Sequence, residues 1–173
     1  MQGPLYFGLA FTMLILENLW RAQWPIHGLA PQFTLLLVAF MGLTEHGLAG
    51  LFYAFGLGIA MDALAGTVPG FTAVAYIITY VFMIAASKLF WVKSIPFQIL
   101  TAAVMTSLAV TSRLAILWFY RLERGLGPEI LRDIPWQILL NLVAVLILFP
   151  ILIRLDEATD PGREGELFSS VRW

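Results

Sequence analysis

The chain contains no cysteine, which removes disulfides, thiolate metal sites and cysteine nucleophiles from consideration. Charge is scarce. Asp, Glu, Lys and Arg make up 12% of the 173 residues, about half of what a soluble domain carries. Neither sign is in excess, the formal net charge being −1, so no basic surface is available for nucleic acid. Histidine occurs only at His27 and His46, too far apart in sequence for metal-ligand spacing. The phosphate-cradling glycine loop and the Gly-x-Ser-x-Gly elbow are both missing, and no cofactor motif takes their place. Gly58-Ile-Ala-Met-Asp62 falls short of the Gly-x-Gly-Asp of intramembrane aspartyl proteases. No second membrane aspartate is available to complete such a dyad. Chemistry in this chain would have to rest on isolated groups.

What is present is apolar bulk. Hydrophobic residues make 60% of the chain, and they come in long blocks rather than the short alternating runs of a barrel. The chain therefore reads as an all-α integral membrane protein. Breakers and interfacial residues divide the blocks into six transmembrane helices at 4–20, 32–44, 47–62, 70–87, 96–120 and 135–155. The first block lacks a basic leader and is read as a retained span. The second is short, since a helix needs about 20 residues to cross the hydrocarbon. It either begins in the preceding loop or thins the membrane locally. Between the last two spans, Pro128 to Ile134 reads as a short surface helix, and Pro135 opens the final span. Residues 1–155 form a single polytopic membrane domain, and 156–173 a polar, disordered tail.

An even number of spans places both termini on one side. The positive-inside rule barely chooses that side. With cytoplasmic termini, Lys88, Lys93, Arg154, Arg163 and Arg172 lie inside, against Arg21, Arg121, Arg124 and Arg132 outside.

The third block carries the clearest pattern. Gly47, Gly50, Ala54 and Gly58 lie three, four and four residues apart, along one helical face. That face is nearly bare backbone, which in a bilayer lets a second helix approach closely. Leu48, Phe52, Phe55 and Ile59 point other ways. Asp62 ends the stripe, a turn containing Gly66 and Pro69 follows, and Gly70 opens the next span. The stripe serves either internal packing or partner docking. The short turn favours internal packing at Gly58, because it returns the next helix alongside.

The intramembrane polar residues are Glu17, Asp62, Arg113 and Asn141. A carboxylate near hydrocarbon needs a partner. Asp62 is a proton relay, a ligand contact, a paired charge, or an interfacial residue bonding the backbone amides of its own turn. Structural readings outweigh chemistry there, because no second carboxylate lies at a useful spacing. Glu17 and Arg113 are candidates to pair with each other. Arg113 is also placed to snorkel towards the end of its span, which Tyr120 marks about 10 Å further along, and snorkelling is the favoured reading.

Several stretches together resemble one known family. They are Phe33-Thr-Leu-Leu-Leu, Gly47-x-x-Gly50, Gly56-Leu-Gly-Ile-Ala-Met-Asp62-Ala-Leu-Ala-Gly66, Pro69-Gly70 and Ala75-Tyr76, with Pro135, Asn141 and Pro150 near the end. They look like the rod shape-determining protein MreD, over residues 31–155. The resemblance implies a multi-pass protein of the bacterial inner membrane, both termini cytoplasmic, without catalytic activity. It implies a scaffold of the cell-elongation machinery that binds the bitopic protein MreC. Through MreC it bears on the RodA glycosyltransferase, a class B penicillin-binding protein and the MreB filament. It also implies a fold similar to the substrate-binding subunits of energy-coupling-factor vitamin transporters. A small-solute transporter subunit is therefore the alternative function. A transporter subunit should enclose a polar pocket of ligand size, whereas a scaffold should offer its surface to another helix.

Overall fold

The computed structural model describes residues 3–23, 30–44, 47–65, 69–87, 99–107, 110–111 and 127–159. All regular structure among them is helical. The helices are α1 (Gly3–Gln23), α2 (Phe33–Thr44), α3 (Leu48–Ala65), α4 (Phe71–Ser87), α5 (99–107) and α6 (Gly127–Thr159).

The centre of the molecule is α2, not α3. Every residue from Thr34 to Thr44 is buried, and α1, α3, α4 and α6 all pack against it. A helix that is apolar on all sides belongs inside a bundle, and the sequence FTLLLVAFMGLT has no polar face to turn outward. Its shortness is as the sequence suggests. At 12 residues α2 is too short to cross about 30 Å of hydrocarbon. It does not need to, because protein rather than lipid surrounds it. The approach of α4 to α2 runs over Gly42, where a Cβ would fall 2.7 Å from the Tyr80 carbonyl oxygen and from Met83 Cβ. On the α6 side, Phe40 and Phe149 meet edge to face, their ring centroids 5.8 Å apart.

Helices α1 to α4 alternate in direction. Glu17 of α1 meets Thr34 at the start of α2, and Tyr6 meets Thr44 at its end, so α1 and α2 are antiparallel. Asn141 of α6 lies beside Gln32, just before α2, and Asp156 bonds Tyr6 beside the end of α2. The first turns of α1 and the last turns of α6 therefore lie at the same end of the bundle.

The final helix departs from the sequence reading in two ways. Pro128–Ile134 is not a separate surface helix, and Pro135, although it stands at the start of the apolar span, does not start the helix. One helix runs unbroken from Gly127 to Thr159 with Pro135 and Pro150 inside it. Its start, Gly127-Pro128, is itself a favourable first turn, because a proline at the first helical position gives up an N–H that would have had no partner. The helix also continues past residue 155. Asp156 is buried and accepts a hydrogen bond from the Tyr6 hydroxyl at 3.0 Å. Tail residues 160–173 lie outside the described residues, as do Glu45 and His46, Lys88 and Lys93.

The outer surface is apolar. Phe7 and Phe11 on α1, Leu48 and Phe52 on α3, and Val143 and Ile147 on α6 are all exposed. Helix α3 and the stretch Ile134–Asp156 of α6 are long and apolar enough to cross a membrane, while α2 and α4 are apolar but shorter.

Buried hydroxyls such as Thr44 and Thr106 bond the carbonyl four residues back, of Phe40 and Ala102. Thr79 departs from this. It is fully buried, and its Oγ1 has no partner among the described residues. An unsatisfied buried hydroxyl costs about 1–3 kcal/mol, and an apolar group of the same shape removes that cost. Thr79→Val is expected to match or exceed the native thermal midpoint in detergent. A clear drop in midpoint would show that the hydroxyl has a partner.

Candidate functional site

The small-residue stripe of α3 faces α4. Gly50 is buried against the Tyr80 ring, and a Cβ there would lie 2.6 Å from Tyr80 Cζ. The Tyr80 hydroxyl passes over it to donate to the Gly47 carbonyl at 2.8 Å. Ala54 is fully buried in the core. At Gly58 a Cβ would overlap the backbone of Ala73 and lie 2.9 Å from its Cβ. Gly47 contributes its carbonyl but lies at the open end of the stripe, with only the Ala49 nitrogen near its Cβ direction. Gly66 lies outside the described residues.

Asp62 ends this face and caps the next helix. Its Oδ2 accepts from the Gly70 amide at 2.9 Å, and both carboxylate oxygens accept from the Thr72 amide, at 3.0 and 3.1 Å. The first amides of a helix have no partner within it, and a carboxylate there also complements the helix dipole. Gly70 makes the turn possible: its φ of +91° lies in the left-handed region that favours glycine. Asp62 is 1% exposed, so the cap is water-excluded. Asp62→Asn retains one oxygen that can accept both amides and is expected to cost about 1 kcal/mol, whereas Asp62→Ala leaves both unsatisfied and should cost about 2–3 kcal/mol. Thermal unfolding of the two variants side by side measures this. Equal losses would mean that the charge itself, not the cap, is what matters.

The second constellation surrounds the start of α2. Ala30, Pro31 and Gln32 precede the helix as buried, non-helical backbone. Hydrocarbon offers no water to satisfy such backbone, so side chains must. Glu17 reaches from α1. Its Oε2 accepts from the Thr34 amide at 3.1 Å and from the Thr34 hydroxyl at 2.6 Å, and its Oε1 accepts from Arg21 at 2.8 Å. Because Thr34 donates its hydroxyl proton to Glu17, the Tyr76 hydroxyl of α4 donates to Thr34 Oγ1, at 2.6 Å. Asn141 reaches from α6. Its Oδ1 accepts from the Gln32 amide at 2.9 Å, while its Nδ2 donates to Gln32 Oε1 at 3.1 Å and to Thr106 Oγ1 of α5 at 2.8 Å. Gln137, one turn before Asn141, donates to the Ala30 carbonyl at 2.9 Å. One buried helix start is thus held by side chains from α1 and α6, with α4 and α5 joined to the same network.

Two of the four intramembrane polar residues singled out in the sequence, Glu17 and Asn141, meet here. Asp62 caps a different helix, and Arg113 lies outside the described residues. The ion-pair partner of Glu17 in the structure is Arg21, one helical turn away. Sequence reasoning missed Gln32, Thr34, Tyr76, Gln137 and the Tyr6–Asp156 bond. Only Arg21 was signalled locally, by its i,i+4 spacing from Glu17. Among the described residues, no group of three or more His, Asp or Glu side chains is placed to hold a metal ion. The arrangement ties helices together through buried, partnered polar groups. Such groups fix a unique packing when they are satisfied.

A family model described as rod shape-determining protein MreD matches residues 2–157 of the chain. The chain belongs to the MreD family. Membership makes it a membrane protein with a role in determining rod cell shape. For this MreD-family chain, the matched region ends one residue beyond Asp156, so it takes in both ends of the Tyr6–Asp156 bond as well as both capping constellations. No curated protein and no solved structure matches the chain.

Proposed function

We propose that this MreD-family chain is a non-catalytic, multi-pass scaffold of the bacterial inner membrane. It binds the bitopic protein MreC and through it bears on RodA, a class B penicillin-binding protein and the MreB filament. The observation that carries the reading is where the polar groups and small residues are used. Gly50, Ala54 and Gly58 pack inside the bundle, and Glu17, Asp62 and Asn141 cap its own helices. The outer faces of α1, α3 and α6 remain apolar and suit contact with lipid and with a partner's membrane helix. A carrier of small polar solutes needs convergent polar groups that await a ligand, and here they bond one another.

Affinity purification in mild detergent tests the assignment. MreC is the expected companion. Recovery of an ATPase pair with a transmembrane coupling subunit would overturn the scaffold reading in favour of a transport subunit. The proposed topology has both termini in the cytoplasm: the meeting of α1 and α6 through Tyr6 and Asp156 supports one side for both, and the family resemblance supplies which side. The chain has no native cysteine, so single labels are unambiguous. Leu126→Cys should react with an impermeant maleimide from outside, and Gly165→Cys only after the inner membrane is permeabilised. The opposite pattern would invert the topology.

A further inference from the structure

The start of α2 lies inside the apolar layer, on the measure of both helices that hold it. Glu17, level with Thr34, lies three residues before Trp20 at the end of the first apolar block, or about 4–5 Å at 1.5 Å per residue. Asn141, level with Gln32, lies seven residues into the apolar stretch that begins at Ile134, or about 10 Å. The buried residues 30–32 are therefore a re-entrant strap. Two side chains of α6 hold it down: Gln137 on the Ala30 carbonyl and Asn141 on both the backbone and the side chain of Gln32.

The same helix is longer than its apolar stretch. Residues 127–133 continue α6 beyond its apolar stretch, by about 10 Å, and Arg132 there is exposed. Pro135 lies between this arm and the two residues that grip the strap. With no N–H to give to the carbonyl four residues back, proline removes one hydrogen bond from the helix at the membrane boundary. We propose that α6 is a lever. Its extramembrane arm is the handle, Pro135 the compliant point, and the latch formed by Gln137 and Asn141 the load, so that force or binding on the arm changes how firmly the start of α2 is held. This goes beyond the scaffold assignment and does not depend on which protein binds the arm.

Hydrogen exchange read by mass spectrometry, on the full chain in lipid nanodiscs, tests it. The Gln32 and Thr34 amides should exchange on the order of a hundredfold more slowly than in an unstructured peptide. Asn141→Ala should raise exchange at Gln32 at least tenfold. The handle is tested without touching the latch: Arg132→Cys is biotinylated and loaded with streptavidin. Loading should change exchange at Gln32, whose amide Asn141 of α6 holds, several-fold. It should leave Gly70 and Thr72 unchanged, because those amides are capped by Asp62 of α3 and not by α6. An unprotected Gln32 amide in the native chain would overturn the re-entrant strap. Unchanged exchange at Gln32 on loading, or an equal change at Thr72, would overturn the lever. Neither result depends on whether Asn141→Ala folds, and neither bears on MreC binding.

Discussion

Leucine at Gly58 is expected to abolish the folded protein itself, not merely its association with a partner. The obstacle is backbone: a Cβ on Gly58 would overlap the Ala73 main chain. Main chain in the first turns of α4 cannot rotate away as a side chain can. It is also held from the other side, since Asp62 fixes the Gly70 and Thr72 amides. Overpacking in a close-packed core typically costs about 1–3 kcal/mol when neighbours can adjust, and that is the range expected for Gly58→Ala. For leucine the two helices must separate by the width of a side chain, which also breaks the contacts of Gly50 with Tyr80. Size-exclusion chromatography in detergent should show no monodisperse Gly58→Leu protein. Phe55→Leu, at a residue that is 47% exposed on another face, should elute as the native chain does. A well-folded Gly58→Leu variant that had lost only its partner would make the stripe an intermolecular groove and remove the basis of this assignment.

That stripe was legible because its signal is local. Spacings of three and four residues project onto one helical face whatever the rest of the chain does, and the short turn after Asp62 left α4 as the nearest occupant. The Asp62 cap was legible among its alternatives for a similar reason, since a carboxylate before a glycine- and proline-rich turn has amides close at hand. The central position of α2 was not legible. A uniformly apolar block looks the same whether lipid or protein surrounds it, and only its length, too short for a span, hinted that lipid does not. The extent of α6 is not legible either, because Pro135 carries a helix-start signal and Gly127-Pro128 carries the same signal seven residues earlier. Least legible was the grip on α2. Gln32 and Asn141 are 109 residues apart, and Thr34 and Tyr76 are 42 apart. No periodicity in a sequence brings such pairs together.

Removing the Glu17 side chain should be the most damaging single change in the polar network. In Glu17→Ala the Thr34 amide and hydroxyl lose their acceptor at a helix start that water does not reach, and Arg21 loses its counter-ion. Breaking a buried pair by deleting one partner costs about 3–5 kcal/mol. The Arg21 side chain is 34% exposed and can turn its guanidinium to the interface, so the loss falls at the low end of that range, about 3 kcal/mol. Glu17→Gln should cost less, because an amide oxygen still accepts from Thr34 while its NH₂ faces the donors of Arg21. That clash makes a sharper test. Arg21→Ala alone strands a buried carboxylate, and Glu17→Gln alone sets donor against donor, but the double variant has neither fault. It should therefore be more stable than the sum of the two single losses implies, by about 1 kcal/mol or more in a double-mutant cycle of thermal unfolding. Additive losses would show that Glu17 and Arg21 act separately. A Glu17→Ala protein as stable as the native chain would mean that the start of α2 is not held by α1 at all.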